Sequence, residues 1–175
     1  MAPVKSAKRV SVTLTKSKTL TSKQLIHKYV DASNAVLTWA ILGGQAFASA
    51  PPVTGYDFVQ AGRDGVSRQS IDHLAGILNV PRKEMADLLH MSAKTLERKP
   101  ARAVFNPIVS SLVIEISKTL AHGLSVFEDS DKLDRWLHKD NQALGGQTPY
   151  ALLDTPTGIN LVNRILNRLE EGVYT

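Results

Sequence analysis

Apolar residues along this chain recur mainly three and four positions apart, the period of one face of a helix. The clearest run is opened by Asn106-Pro107, where Ile108, Leu112, Ile116, Leu120 and Leu124 fall four apart with Val109, Val113 and Phe127 beside them. This pattern predicts a long helix from Asn106 to Phe127 with a wide apolar stripe, the spine of the carboxyl-terminal part. Ser130 to His138 repeats the pattern on Leu133, Trp136 and Leu137. In the last stretch Ile159, Val162, Ile165, Leu166 and Leu169 alternate with Asn160, Asn163, Arg164, Asn167 and Arg168, which predicts a final helix with one packed side and one wet side. Thr155-Pro156 starts that helix, because Thr accepts from an orphan N–H and Pro at the first position has no N–H to leave unpaired. Glu170 and Glu171 occupy its last turn, where the helix dipole is already negative and each carboxylate costs about 0.3–1 kcal/mol. Gly172 terminates it. Such an acidic end is either a solvated terminus or a docking tip, with Tyr174 as an aromatic anchor and a basic pocket as its target.

Upstream the chain reads as short helices: Tyr56 to Gly62, Ser67 to Leu78 with Asn79 as terminator, Arg82 to Leu89 after Pro81, and Ala93 to Lys99. The last two are separated only by His90-Met91-Ser92, the helix, tight turn, helix arrangement of DNA-binding domains. Ala86 supplies the small side chain that two crossing helices need, and Ser92 caps the second helix. Leu96 points inward, leaving Ser92, Lys94, Thr95, Arg98 and Lys99 as the candidate DNA-reading set, extended by Arg82, Lys83 and Arg102 toward phosphates. His90 stands where such a turn usually has Gly, a position that requires positive φ. The bland alternative is a helical bundle with scattered Lys and Arg.

Residues 1–24 are rich in Lys, Ser and Thr and contain no acid, reading as a basic tail in which Val10 to Leu14 alternates like one short strand. Helices are expected from Thr21 to Val30 and from Ala32 to about Leu42. Residues 32–56 are uncharged, but Gly43, Gly44, Pro51 and Pro52 interrupt them short of the roughly 20 apolar residues of a membrane span. No Walker lysine follows Gly43-Gly44. Gly145-Gly146, before Thr148-Pro149 and a short helix to Leu153, reads as a packing corner rather than a phosphate cradle.

Charge divides the chain: residues 1–106 carry 15 Lys and Arg against 7 Asp and Glu, and residues 107–175 carry 6 against 9. A basic first part suits nucleic acid and an acidic second part suits a basic protein surface. There are no cysteines, which removes disulfides, thiolate metal sites and cysteine nucleophiles and suits a cytoplasmic protein. His27, His73, His90, His122 and His138 are dispersed, without zinc-peptidase spacing, and no Gly-x-Ser-x-Gly elbow occurs. Asp129, Asp131 and Asp134 read as a solvated helix start. No enzyme, metal or cofactor is expected.

Asn141, Leu144-Gly145-Gly146, Pro149, Leu152-Leu153, Thr155, Gly158, Val162 and the closing Glu170-Glu171-Gly172-Val173-Tyr174, in this order and spacing, resemble the toxin-binding domain of Xre-type antitoxins, the partners of RES-domain toxins. The resemblance continues upstream to Tyr56, and Thr95-Leu96-Glu97-Arg98 falls on the characteristic segment of the family's helix-turn-helix. It implies an all-α protein with a basic tail (1–24), a helical segment and connector (25–55) that is a possible oligomer contact, a helix-turn-helix domain (56–106) and a toxin-binding domain (107–175). It implies a type II antitoxin, a homodimer within a larger complex, that silences an NAD-degrading RES toxin by contact and represses its own operator. The toxin-contacting set is then Arg168, Glu170, Glu171, Gly172, Val173, Tyr174 and Thr175. On the residues alone, two competitors stay open: a stand-alone helix-turn-helix regulator with a dimerising or ligand-sensing carboxyl-terminal domain, and an adaptor without DNA function.

Overall fold

The computed structural model describes residues 28–29 and 32–172, and every regular element within them is helical. The helices are α1 (Asn34–Ile41), α2 (Gly55–Asp64), α3 (Arg68–Ile77), α4 (Arg82–Leu88), α5 (Ala93–Arg98), α6 (Pro107–Phe127), α7 (Ser130–Leu137) and α8 (Pro156–Glu170), with single 3-10 turns at Gly44–Ala46, Gln142–Leu144 and Tyr150–Leu152. The basic tail, the strand expected at Val10 to Leu14, most of the helix expected from Thr21 to Val30, and Val173, Tyr174 and Thr175 lie outside the described residues.

Helix starts follow local chemistry. Ser67, Ser92, Asn106 and Thr155 each accept a hydrogen bond from the backbone N–H three residues on, satisfying a donor the helix cannot. α2 begins one residue earlier than the apolar pattern suggests, because Thr54 and Asp57 form a reciprocal capping box. Backbone N–H groups of Thr54 and Val53 hold the Asp57 carboxyl below its ordinary pKa. The expected helix from Pro149 to Leu153 is only the 3-10 turn Tyr150–Leu152.

α6 is the spine. α1 and α2 pack along it, α8 packs on it from the carboxyl-terminal side, and α7 folds back against it after a left-handed Glu128. Val113, Ile116, Leu120 and Leu124 are buried as the spacing predicts, but Ile108 is 84% exposed, which corrects its place in the buried stripe. Ile108 lies in the first turn of α6; the periodicity fixes the phase of a stripe, not where its cover ends. Three hydroxyls are also buried on α6 and all are satisfied: Ser110 accepts from the Val66 N–H at 2.9 Å and donates to the Phe105 carbonyl, Ser117 donates to the Val113 carbonyl, and Thr119 to the Glu115 carbonyl.

The segment after α5 returns to pin α3. Phe105 N–H donates to the Val66 carbonyl, Arg68 N–H to Ala103 and Gln69 N–H to Ala101, with an isolated bridge between Ser67 and Val104. One continuous core then runs from Leu37 through Val66, Ile71, Leu74, Met85 and Leu96 to Val113, Leu120, Val162 and Leu166. The boundary expected at 106/107 falls just before the helix on which both halves pack.

Candidate functional site: the helix-turn-helix and the carboxyl-terminal helix

α4 and α5 form the helix-turn-helix. Met85, Ala86 and Leu96 are fully buried at the crossing, and the turn closes with Met91 N–H on the Ala86 carbonyl and His90 N–H on the Asp87 carbonyl. His90 adopts φ +54°, so the turn keeps the left-handed geometry that Gly would give it. A non-glycine residue there costs about 1–2 kcal/mol. His90 recovers part of that cost by a means Gly lacks: its Nε2 lies 2.8 Å from the Asp154 carbonyl, tying the turn to the carboxyl-terminal half. On the same seam, burial raises the Tyr150 pKa, with Glu84 and Asp87 adding to the effect, and His138 stacks on the Tyr150 ring at 5.0 Å.

The predicted DNA-reading residues separate into two groups. Lys83, Ser92, Lys94, Thr95, Arg98 and Arg102 are exposed, as is Glu97. The Ser92 and Thr95 hydroxyls are 2.7 Å apart and the Ser92 oxygen accepts from the Thr95 N–H, so these two shape the helix start as much as its outer face. Lys99 leaves the outward set: its Nζ donates to the Val104 carbonyl at 2.9 Å and lies 4.6 Å from the centre of the Phe105 ring. Arg82 remains half exposed but is bound to Asp72 of α3, Nε to Oδ1 at 2.8 Å and Nη2 to Oδ2 at 3.1 Å.

α8 is the second element. Gly158, Ile159, Val162 and Leu166 are buried, and Asn160, Arg164, Asn167, Arg168, Glu170 and Glu171 are exposed, the two-sided helix that the pattern predicts. Its first turn sits so close to the preceding 3-10 turn that a Cβ on Gly158 would lie 2.0 Å from the Leu152 carbonyl oxygen. Glu170 is not free in solvent. Its Oε2 lies 3.2 Å from Nε2 of His122 on α6, and His122 Nδ1 faces Asn163 Oδ1 at 3.4 Å. Asn163 in turn donates through Nδ2 to Thr119 Oγ1 at 2.9 Å. Both His122 ring nitrogens therefore face side-chain oxygens of α8. Arg164 and Arg168, one turn apart, have no ionic partner among the described residues. Gly172 ends the helix at φ +71°, as the sequence predicts.

Asp72, Asp154 and His122 were not among the predicted site residues. The contacts Asp72–Arg82, His90–Asp154 and His122–Glu170 span 10, 64 and 48 positions, beyond the reach of any local pattern, although Asp72 also pairs with Arg68 one helical turn away. Among the described residues no group of three or more His, Asp or Glu is placed to hold a metal ion, and no helix is long and apolar enough to cross a membrane.

The described residues form a helix-turn-helix joined through one spine helix to a carboxyl-terminal part that ends in a two-sided helix. Residues 57–117 match the antitoxin Xre-like helix-turn-helix domain, and residues 122–172 match the antitoxin Xre/MbcA/ParS carboxyl-terminal toxin-binding domain. The chain belongs to the Xre-type antitoxins, a family of regulatory binding proteins rather than enzymes. It is 27% identical over 122 residues to a protein of Sphingobium sp. (strain YBL2) named "Prs ADP-ribosylating antitoxin", covering 64% of this chain and 77% of that one. It is 25% identical over 127 residues to an "Antitoxin Xre" of Yersinia enterocolitica, covering 71% and 86%. A further "Antitoxin Xre", from Photorhabdus laumondii, is 27% identical over 79 residues, covering 45% and 53%.

Proposed function

We propose that this antitoxin silences a RES-domain toxin that degrades NAD, by seating α8 on the toxin and directing the chain end into its dinucleotide site, and that it represses its own operator through α4 and α5. The observation that carries the toxin half is α8 itself. One side is fixed in the core, while the other offers Asn160, Asn167 and the guanidinium groups of Arg164 and Arg168, which have no ionic partner among the described residues. Two like charges one turn apart repel each other and weaken an isolated helix, an arrangement that suits carboxylates on a partner. Beyond them Glu170 and Glu171 lead into Gly172-Val173-Tyr174-Thr175, where carboxylates take the place of a pyrophosphate in a basic pocket. The name of the Sphingobium relative ties it to ADP-ribosylation, and NAD is the usual donor in that chemistry, so it is consistent with the same class of partner active site. Mixing the purified chain with its toxin and following NAD loss tests the proposal: inhibition supports it, and undiminished loss despite complex formation overturns the active-site part.

The DNA half rests on the exposed Lys94, Thr95, Arg98 and Arg102 around α5, with Lys83 on α4. Affinity for DNA from upstream of the gene is expected to fall steeply with salt, and changing Lys94 and Arg98 together to Ala to reduce the log–log salt slope by about 1.8, at roughly 0.9 per phosphate contact. An unchanged slope removes α5 from the interface. A second copy of the chain, bringing a second α5 to the adjacent half-site one helical turn away, fits this mode of binding.

A further inference from the structure

Of the acidic residues on or beside the proposed DNA-binding elements, among them the exposed Glu84, Asp87 and Glu97, one is held differently. Asp72, on α3, is about three-quarters buried and lies between two arginines: Arg68 Nη1 at 2.8 Å and the side-on pair made by Arg82 Nε and Nη2. A carboxylate near a phosphate-binding surface opposes DNA by simple charge, so its place there asks for a reason. The geometry of the pair supplies one. Arg82 uses Nε and Nη2 on Asp72 and leaves Nη1 unbonded on a side chain that is 52% exposed. Because a guanidinium is planar and rigid, fixing that one edge also fixes the direction of the free Nη1 N–H groups. Arg82 is the first residue of α4, the helix-turn-helix member that crosses the DNA backbone in this architecture. Glu97, on α5, adds a smaller favourable charge effect on Arg82 to that of Asp72.

We propose that Asp72 is a positioning residue for operator binding: it holds the Arg82 guanidinium with Nη1 directed at a DNA phosphate. Arg68 and Arg82 together outweigh the one Asp72 carboxylate, so the trio carries a net positive charge. An exposed arginine ordinarily gives up rotamer freedom when it meets a phosphate; here that ordering is already in place in the free protein. Lys83, next in sequence, is exposed and has no ion pair among the described residues, which makes it the contrasting case.

This inference rests on the DNA-binding reading above, and the test separates the two. The full chain and its Asp72→Asn, Arg82→Lys, Arg82→Ala and Asp72→Asn/Arg82→Ala forms are titrated with a duplex of the DNA upstream of the gene over a range of salt. Asp72→Asn removes a negative charge, so charge counting alone predicts tighter binding, whereas positioning predicts binding about five- to tenfold weaker. Arg82→Lys keeps the charge, loses the side-on pair and is expected to weaken binding to a similar degree. Arg82→Ala lowers the salt slope by about 0.9, and adding Asp72→Asn to it has no further effect, since Asp72 acts through Arg82. Unfolding midpoints of all forms, and retained toxin binding, separate DNA effects from loss of fold. Wild-type binding with Asp72→Asn equal or tighter, or an Asp72→Asn loss that persists beside Arg82→Ala, overturns the positioning role alone. A wild-type chain that binds no DNA overturns the DNA reading and this role with it.

Discussion

Replacing Gly158 by Ala is expected to be the most damaging single change in the toxin-binding half. The added Cβ would lie 2.0 Å from the Leu152 carbonyl oxygen and 3.0 Å from Thr155 Oγ1, and both neighbours are fixed, one by the backbone and one by its capping bond to the Gly158 N–H. α8 must lift from the 3-10 turn or rotate in its seat, and either movement drags Ile159, Val162 and Leu166 out of the core. Overpacking against backbone, with loss of the cap, is expected to cost about 3 kcal/mol or more. For a chain of this size that lowers the thermal midpoint by roughly 10 °C. Urea and thermal unfolding check this directly. Thr157→Ala, an exposed neighbour in the same turn, serves as the control and is expected to change little.

The second large effect is on function without folding. A chain ending at Glu171 retains every buried residue of α8 and the Glu170 contact with His122, so its unfolding midpoint is expected to match the full chain. It loses Gly172-Val173-Tyr174-Thr175 and with them the Tyr174 ring proposed for the toxin's dinucleotide site. Inhibition of NAD loss is expected to weaken at least about tenfold, or 1.4 kcal/mol, while the toxin still co-purifies through the Arg164 and Arg168 face. The two readouts separate seating from blocking. If truncation abolishes co-purification as well, the chain end is the anchor and the exposed face of α8 contributes little.

What the sequence made legible was what neighbours in the chain decide. Ser92, Asn106 and Thr155 are caps because a hydroxyl or amide oxygen there has no choice but the nearby N–H groups, and the Pro at 107 and 156 fits only a first turn. The inward positions of α8 follow from its period. The Thr54 and Asp57 capping box was equally available as a Thr-x-x-acid pattern, yet the apolar run drew the boundary to Tyr56. Less legible was whatever depends on a distant partner. Ile108 keeps the period of its helix but lies in a first turn that no other described residue covers. Lys99 has the composition of a phosphate contact and folds back on Phe105 and the Val104 carbonyl instead. His90 was an anomaly in the turn until Asp154, far along the chain, supplied its partner. The acidic end of α8, costly for an isolated helix, is eased at Glu170 by His122 from the spine, so the helix is finished by its tertiary neighbour.

These long-range contacts also join the helix-turn-helix and the carboxyl-terminal helix to one spine. The helix-turn-helix is fastened to α6 through Val66, Ser110 and Phe105 and to the carboxyl-terminal half through His90, while α8 is fastened to the same α6 through Thr119, Asn163 and His122. The spine helix α6 thus carries side-chain contacts to both the helix-turn-helix and α8.

The most direct test of the central claim is a titration of the purified full-length chain into its active toxin, with NAD followed over time and complex formation followed in the same samples. Neutralisation by active-site contact predicts that NAD loss falls in proportion to complex formed and stops when the toxin is saturated, with excess NAD slowing association. Complex formation that leaves NAD loss undiminished at saturation would contradict it.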